Sequence, residues 1–307
     1  MIRIITCYII FITGIFVSHS QIKSEDFIIK NGNIELPGTL TYSDSAQELV
    51  VWIHGSGAVD RNGNQPAANV KANYIKQLRD SLNKENIAFF SYDKRTSNPK
   101  NAAYLKGVIL DDFVSDAQKA IEHLKKEYQF KSITLIGHSQ GSLVAMLASE
   151  GIDKYISLAG PAESIDETIT RQVTNQSADF GKITANHFKE LKETGDIKEV
   201  NPNLLSIFAK PNFPFLRNWM SYNPVEEIKK VNIPTLIING TKDIQVTVND
   251  ANALNEAKEN AKLVIIEKMN HVLKIIENDA DNLPSYYSPD FKLSTELVKT
   301  ITEFVKK

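Results

Sequence analysis

The sequence predicts an α/β protein with a mostly parallel sheet covered by helices on both faces. Three observations carry that prediction. Short, nearly continuous apolar runs recur along the chain, amphipathic helical segments separate several of them, and one interval of about 70 residues breaks the alternation. A segment that is apolar at almost every position needs cover on both faces, as a strand has inside a sheet sandwiched by helices.

In chain order, IELPGTLTY (34–42) puts Ile34, Leu36, Leu40 and Tyr42 on one side, the period-two alternation of a half-buried, antiparallel strand near a sheet edge. From residue 49 the pattern changes to covered strands: LVVWIHG (49–55), IAFFSYD (87–93), SITLIGHS (132–139), YISLAG (155–160), TLIING (235–240) and LVIIEK (263–268). Phe113, Ala117, Ala120, Ile121 and Leu124 share one face of a helix over 112–126, with Asp111 and Asp112 suited to its positive N-terminal end. Further helices are predicted over 140–149, 248–261 and 294–305. Strand alternating with helix is the pattern of a wound sheet.

The exception lies between Gly160 and Pro234. Ile165, Ile169 and Val173 mark one amphipathic helix there, Phe188 with Leu191 a second, and FAKPNFPFLRNWMSYNP (208–224) follows. Structureless loops of that length are rare, so residues 161–225 are expected to form a helical cap insertion over the C-terminal edge of the sheet. The core is then 21–160 together with 226–307.

Composition narrows the function classes. Lys and Arg number 35 against 37 Asp and Glu, a net charge of -2, so no basic surplus exists to neutralise a phosphate backbone and nucleic acid is not an expected partner. Residues 1–20 hold one cation, Arg3, then an apolar stretch from Ile4 to Val17 and the small-residue finish Ser18-His19-Ser20. The stretch is short of the roughly 20 apolar residues of a membrane span. It predicts a secretory signal peptide, hence a periplasmic or secreted protein with no stable membrane insertion after the signal is removed. Cys7, the only cysteine, leaves with it, which excludes disulfides, thiol catalysis and thiolate metal sites from the remainder.

The chemistry is concentrated around GHSQG (137–141). Ser139 ends a strand and opens a helix, where a tight turn projects the hydroxyl above the sheet, and Gly137 and Gly141 relieve the crowding. A serine needs a base to take its proton. Of the six histidines, His19 goes with the signal and His123 lies mid-helix among charges. His187 falls in the cap, and His54 and His138 sit inside glycine motifs. His271, in EKMNHVLKI just past the last core strand, remains as the base. Asp243, in IINGTKDIQVT, follows strand 235–240 at the same edge and is the expected acid, with Asp250 its nearest rival inside the following helix. The order Ser, Asp, His separates this arrangement from the other serine-hydrolase orders. The loop WIHGSGAVDRNGN (52–64) is placed to present backbone N–H groups to a reacting carbonyl. The two oxyanion donors expected are those of Ser56 and Gln140, with Gly57 as the alternative to Ser56.

Taken in order, HGSGAVDRNGN, SYDKR, GHSQG, LAGP, IPTLIINGTKD and MNH resemble the α/β-hydrolase superfamily, and most of all its bacterial exported esterase and serine-aminopeptidase-like branches. The resemblance covers nearly all of residues 34–307. It implies an eight-stranded, mostly parallel sheet with a cap after the sixth strand, and hydrolysis with neither metal nor organic cofactor. It also supports Ser139 as nucleophile, Asp243 as acid, His271 as base, and Ser56 with Gln140 as oxyanion donors. One departure stands out: relatives continue the YDKR segment with a turn of the kind R-G-x-G-x-S, whereas this chain reads YDKRTSNPKNAAYLKG (92–107). Asp60 and Arg61 are expected on the same side, either contacting a polar substrate or paired structurally.

The leading expectation is a carboxylic-ester hydrolase acting on a small-molecule ester. The aromatic residues Phe208, Phe213, Phe215, Trp219 and Tyr222 suggest an apolar acyl or aryl pocket, against the alternative of plain cap packing. Amide cleavage by an aminopeptidase or acyl-peptide hydrolase is the second expectation, with Glu163, Asp166 and Glu167 as acids able to hold a free amine. A non-catalytic binding protein on the same fold is the third, disfavoured by the presence of all three triad residues. No H-E-x-x-H metal motif and no phosphate-cradling glycine loop occurs.

Overall fold

The computed structural model describes residues 21–307; the proposed signal segment 1–20, with Cys7 and His19, lies outside the described residues. Eight strands form one sheet: β1 (Lys23–Asn31), β2 (Ile34–Tyr42), β3 (Glu48–Ile53), β4 (Ala88–Tyr92), β5 (Ser132–His138), β6 (Lys154–Leu158), β7 (Thr235–Gly240) and β8 (Lys262–Ile266). Their spatial order is β1-β2-β4-β3-β5-β6-β7-β8, antiparallel from β1 to β4 and parallel from β4 onward. The helices that follow the sheet are α1 (Tyr74–Lys84), α2 (Leu110–Glu127), α3 (Gln140–Leu147), α4 (Ile165–Gln176), α5 (Ala178–Thr194), α6 (Phe213–Met220), α7 (Pro224–Lys230), α8 (Val248–Ala257) and α9 (Thr295–Val305).

The continuous apolar runs are explained by cover on both faces. Along β3, Leu49, Val51 and Ile53 join one core with Phe113, Ala117 and Leu124 of α2 and Leu143 of α3. Val50 and Trp52 join the other with Ile75, Leu78 and Leu82 of α1 and Leu297 and Ile301 of α9. Successive side chains of a strand point to opposite faces, so both sets must be apolar.

Strand β1 is a correction to the sequence reading, which began the sheet at residue 34. Asn31 pairs with Ile34 across a two-residue turn, Gly32-Asn33, with Gly32 at φ 60°. The glycine–asparagine pair is a hairpin signal, but β1 is mostly solvent-facing and carries too few apolar residues to stand out. His123, whose place among charges suggests a solvated side chain, is instead half-buried and packs on Phe27 of β1, with ring centroids 4.9 Å apart.

Between β6 and β7 the described residues hold helices and no strand. Phe188, Leu191, Ile197, Leu204, Phe208, Phe213 and Leu216 make a third apolar cluster belonging to this insertion. No helix among the described residues is long and apolar enough to cross a membrane.

Candidate active site

Ser139 stands between β5 and α3 with φ 56° and ψ −124°, a backbone conformation that costs of order 1–3 kcal/mol for a residue with a side chain. The neighbouring chain leaves no alternative. A Cβ on Gly137 would lie 2.3 Å from the Gly141 carbonyl oxygen, and one on Gly141 would lie 2.2 Å from that of Ile53. The turn is thus wedged against the end of β3, and the Ser139 amide is held by the Leu158 carbonyl of β6 at 3.0 Å.

Asp243 and His271 lie on the loops after β7 and β8. His271 Nδ1 donates to Asp243 Oδ2 at 2.8 Å, with the histidine side chain 6% and the aspartate 0% exposed. The other carboxylate oxygen, Oδ1, accepts from the backbone N–H groups of Gln245 (2.8 Å) and Val246 (2.9 Å). Because a carboxylate only accepts here, the imidazole carries its proton on Nδ1, which leaves Nε2 free to accept one. Asp250, the rival acid, instead caps α8 through Thr247 and pairs with Arg171 at 2.9 Å.

Ser139 and His271 line one cavity of about 670 Å³, but the hydrogen bond between the serine hydroxyl and Nε2 is not formed in this structure. Catalytic hydrogen bonds are often long before substrate binds. Ser56 and Gln140 line the same cavity and also a second one of about 1040 Å³, so both expected oxyanion donors stand where the two meet.

The loops bearing His271 and Asp243 are tied together by residues the sequence reading did not single out. His138 donates from Nε2 to the His271 carbonyl at 2.8 Å, and its ring lies 4.8 Å from that of His271. Burial holds His138 well below the ordinary imidazole range, so it stays neutral. Asn270 donates to Asn282 (3.0 Å) and Ser285 (2.7 Å), and Asn282 donates to the Lys242 carbonyl (2.8 Å). Lys274, wholly buried, donates to Gln77 and to the Phe291 carbonyl. A histidine abutting the nucleophile and an asparagine abutting the base were the only sequence signals of this support.

Several expected substrate contacts fall elsewhere. Arg61 makes a two-pronged pair with Asp93 (3.0 and 2.8 Å), and Asp60 accepts from the amides of Asn62 and Asn64 at 2.8 Å. Both residues line a separate surface depression. Of the five aromatic residues, Phe215 and Trp219 line the larger cavity, whereas Phe208 and Phe213 are buried in the insertion's own core and Tyr222 donates to Asp111 at 2.6 Å. Glu163 is engaged by Arg171 at 2.8 Å, Glu167 closes the capping box of α4 with Ser164, and Asp166 lines neither cavity. No grouping of three or more potential metal-ligating acids, histidines or cysteines exists among the described residues.

A sheet order of this kind, with a strained serine after β5 and an acid–histidine pair after β7 and β8, can be compared with known proteins. A family model described as BD-FAE matches residues 39–257, well over half of the chain. The chain belongs to the BD-FAE family. The span matched by BD-FAE holds Ser139 and Asp243 and stops short of His271. Among curated proteins, the chain is 25% identical to esterase EstD of Thermotoga maritima, over 95% of this chain and 69% of EstD. Among solved structures it resembles the Pyrococcus furiosus esterase Pf2001, with a TM-score of 0.61 and 20% identity, over 94% of this chain and 91% of that one. It also resembles Est1E from Butyrivibrio proteoclasticus, with a TM-score of 0.56 and 17% identity, over 92% and 99% of the two chains. The fold of this BD-FAE chain is that of the α/β-hydrolases, and an esterase-type hydrolase is what its relatives have in common.

Proposed function

We propose that the protein is a serine carboxylesterase in which Ser139 is the nucleophile, His271 the base and Asp243 the acid. The observation that carries this reading is the Asp243–His271 pair, 2.8 Å long, whose free Nε2 belongs to a residue sharing a cavity with a strained serine. Ser139 Oγ attacks the ester carbonyl carbon while His271 Nε2 takes its proton. The carbonyl oxygen, now negative, accepts from the N–H groups of Ser56 and Gln140, each such donor being worth roughly 3 kcal/mol of barrier. The alkoxide leaves with the proton from His271, and water repeats the sequence on the acyl-enzyme to release the acid. Asp243 holds the imidazolium through Nδ1 in both halves.

The substrate we propose is an ester with an apolar acyl or aryl part. The larger cavity offers Leu105, Val108, Phe113, Phe215 and Trp219 to that part, and the smaller one, which bears Ser139 and His271, receives the alcohol side. Leu105 and Val108 belong to or border the atypical 94–107 loop, which places the departure from the relatives' motif in the cavity wall. The engagement of Glu163 and Glu167 disfavours recognition of a free amine, hence aminopeptidase action. We further propose export, on the strength of residues 1–20 alone.

The test is kcat/KM on p-nitrophenyl butyrate and on alanyl-p-nitroanilide, for the parent and for Ser139→Ala. Ester turnover that falls roughly 10⁴-fold or more in the variant, with no anilide cleavage, is the expected outcome. Preferential anilide cleavage, or ester turnover that survives the substitution, overturns the reading.

A further inference from the structure

We propose that Lys94 is the positioning residue of the oxyanion site, its side chain tying the loop that carries Ser56 to the residue that carries the second donor. The inference rests on the reading of Ser56 and Gln140 as oxyanion donors given above.

Lys94 lies two residues past the end of β4 and turns inward, only 5% exposed. Its Nζ donates to the carbonyl of Gly55 and to Oε1 of Gln140, both at 2.7 Å, and stands 4.3 Å from the centroid of the Phe113 ring. Gly55 immediately precedes Ser56, so the first bond fixes the peptide unit whose N–H is the Ser56 donor. The second holds the side chain of the residue whose own N–H is the other donor. The Lys94 backbone N–H also donates to the Val59 carbonyl at 3.1 Å, so one residue pins the loop at two points, Gly55 and Val59. The two donors come from segments about 85 positions apart in the chain. Their spacing decides whether both can reach one oxygen, and a misplacement of an ångström is costly.

A lysine suits this task. Its compact ammonium, set over the Phe113 ring, can direct separate N–H groups at two acceptors that a planar guanidinium fork matches less well. No carboxylate neutralises it directly. From α2, Asp116 is committed to Arg95 at 2.7 and 2.8 Å. From the end of β3, His54 is held neutral by burial down to about 4, and from β4 the Tyr92 phenol is pushed far up by burial. Gln140 on α3 is uncharged, and Lys106 and Lys210 line the same larger cavity. Burial therefore pulls the Lys94 ammonium down to about 7, opposed in part by Asp116. Above that pH the amine keeps two N–H groups but loses its charge, and charge-assisted bonds are roughly twice as strong as neutral ones.

The experiment compares the parent, Lys94→Met, Gln140→Met and the double variant on p-nitrophenyl butyrate from pH 5 to 9. The expected result is a kcat roughly 10- to 100-fold lower in each single variant, as for partial loss of an oxyanion donor, with KM within about threefold. The parent's kcat should fall as pH rises through about 7, and that limb should be absent from Lys94→Met and from the double variant, which lack the amine, and remain in Gln140→Met. The double variant should be no worse than Lys94→Met, because that substitution already removes the bond that Gln140→Met breaks. A Lys94→Met kcat within about threefold of the parent, a loss confined to KM, or additive losses would overturn the proposal. If Lys94→Met fails to fold, judged by its thermal melt, Gln140→Met decides by the same criteria, since it leaves Lys94 in place. Labelling of Ser139 by a fluorophosphonate separates the two readings. A parent unlabelled at Ser139 sinks the esterase reading and this proposal together, whereas a labelled parent with unaffected variants sinks only the role of Lys94.

Discussion

Asp243 is held by both of its oxygens, one on His271 and the other on two backbone amides, so its orientation does not depend on the histidine. That rigidity makes Asp243→Asn a clean test at the scale of one residue. The amide keeps the shape of the loop but can offer an N–H to Nδ1, which favours the tautomer with the proton on the wrong nitrogen. Asp243→Asn is expected to lower kcat about 10⁴-fold with the thermal melting temperature unchanged to within about 2 °C; steady-state kinetics and a melt check both halves. Asp243 and His271 were legible in the sequence because each follows a covered strand at the edge where Ser139 lies. Lys94 was not, although YDKR was noted, because a lysine after a strand ordinarily faces water. Only the packed structure turns it toward Gly55 and Gln140.

The turn from β5 to α3 is where local sequence and packing constrain each other most closely. Gly141 lies so near the end of β3 that any side chain meets the carbonyl oxygens of Ile53 and His54 at 2.2 and 2.6 Å. Both are backbone atoms, which cannot swing aside. Gly141→Ala is therefore expected to destabilise the protein by about 3 kcal/mol, measured by urea unfolding. Gly107, at φ 76° with no atom within 4 Å of an added Cβ, provides the contrast. There Gly107→Ala is expected to cost only the backbone term, about 1 kcal/mol. Glycine-flanked serine is readable as a motif, but the atoms that exclude a methyl group belong to other elements, α3 at Gly137 and the end of β3 at Gly141. The β1–β2 hairpin shows the opposite failure. Its turn signal was local and present, yet a solvent-facing strand has little apolar pattern to detect.

Across the whole molecule, the insertion between β6 and β7 shapes the space above the sheet. Trp219, 8% exposed, lines both cavities and packs against Phe215, with ring centroids 5.4 Å apart. It stands where the two cavities meet. Trp219→Ala is expected to join the cavities and raise the ratio of kcat/KM for p-nitrophenyl decanoate over butyrate by about tenfold, the scale of one or two methylene groups in an apolar pocket. An unchanged ratio would place the acyl chain elsewhere.

Residues 49–55, 87–93 and 132–139 revealed covered strands through an apolar pattern that burial on two faces requires, and chain order then pointed to Ser139, Asp243 and His271. The apolar runs repeat over short stretches, so the sequence by itself determined the strands. The tertiary structure alone decided that Phe215 and Trp219 face a cavity while Phe208 and Phe213 fill the insertion's core. It alone paired Arg61 with Asp93 and drew Lys94 between Gly55 and Gln140. The physical reason is the same in each case: where a side chain points depends on surfaces supplied by segments far away in the chain.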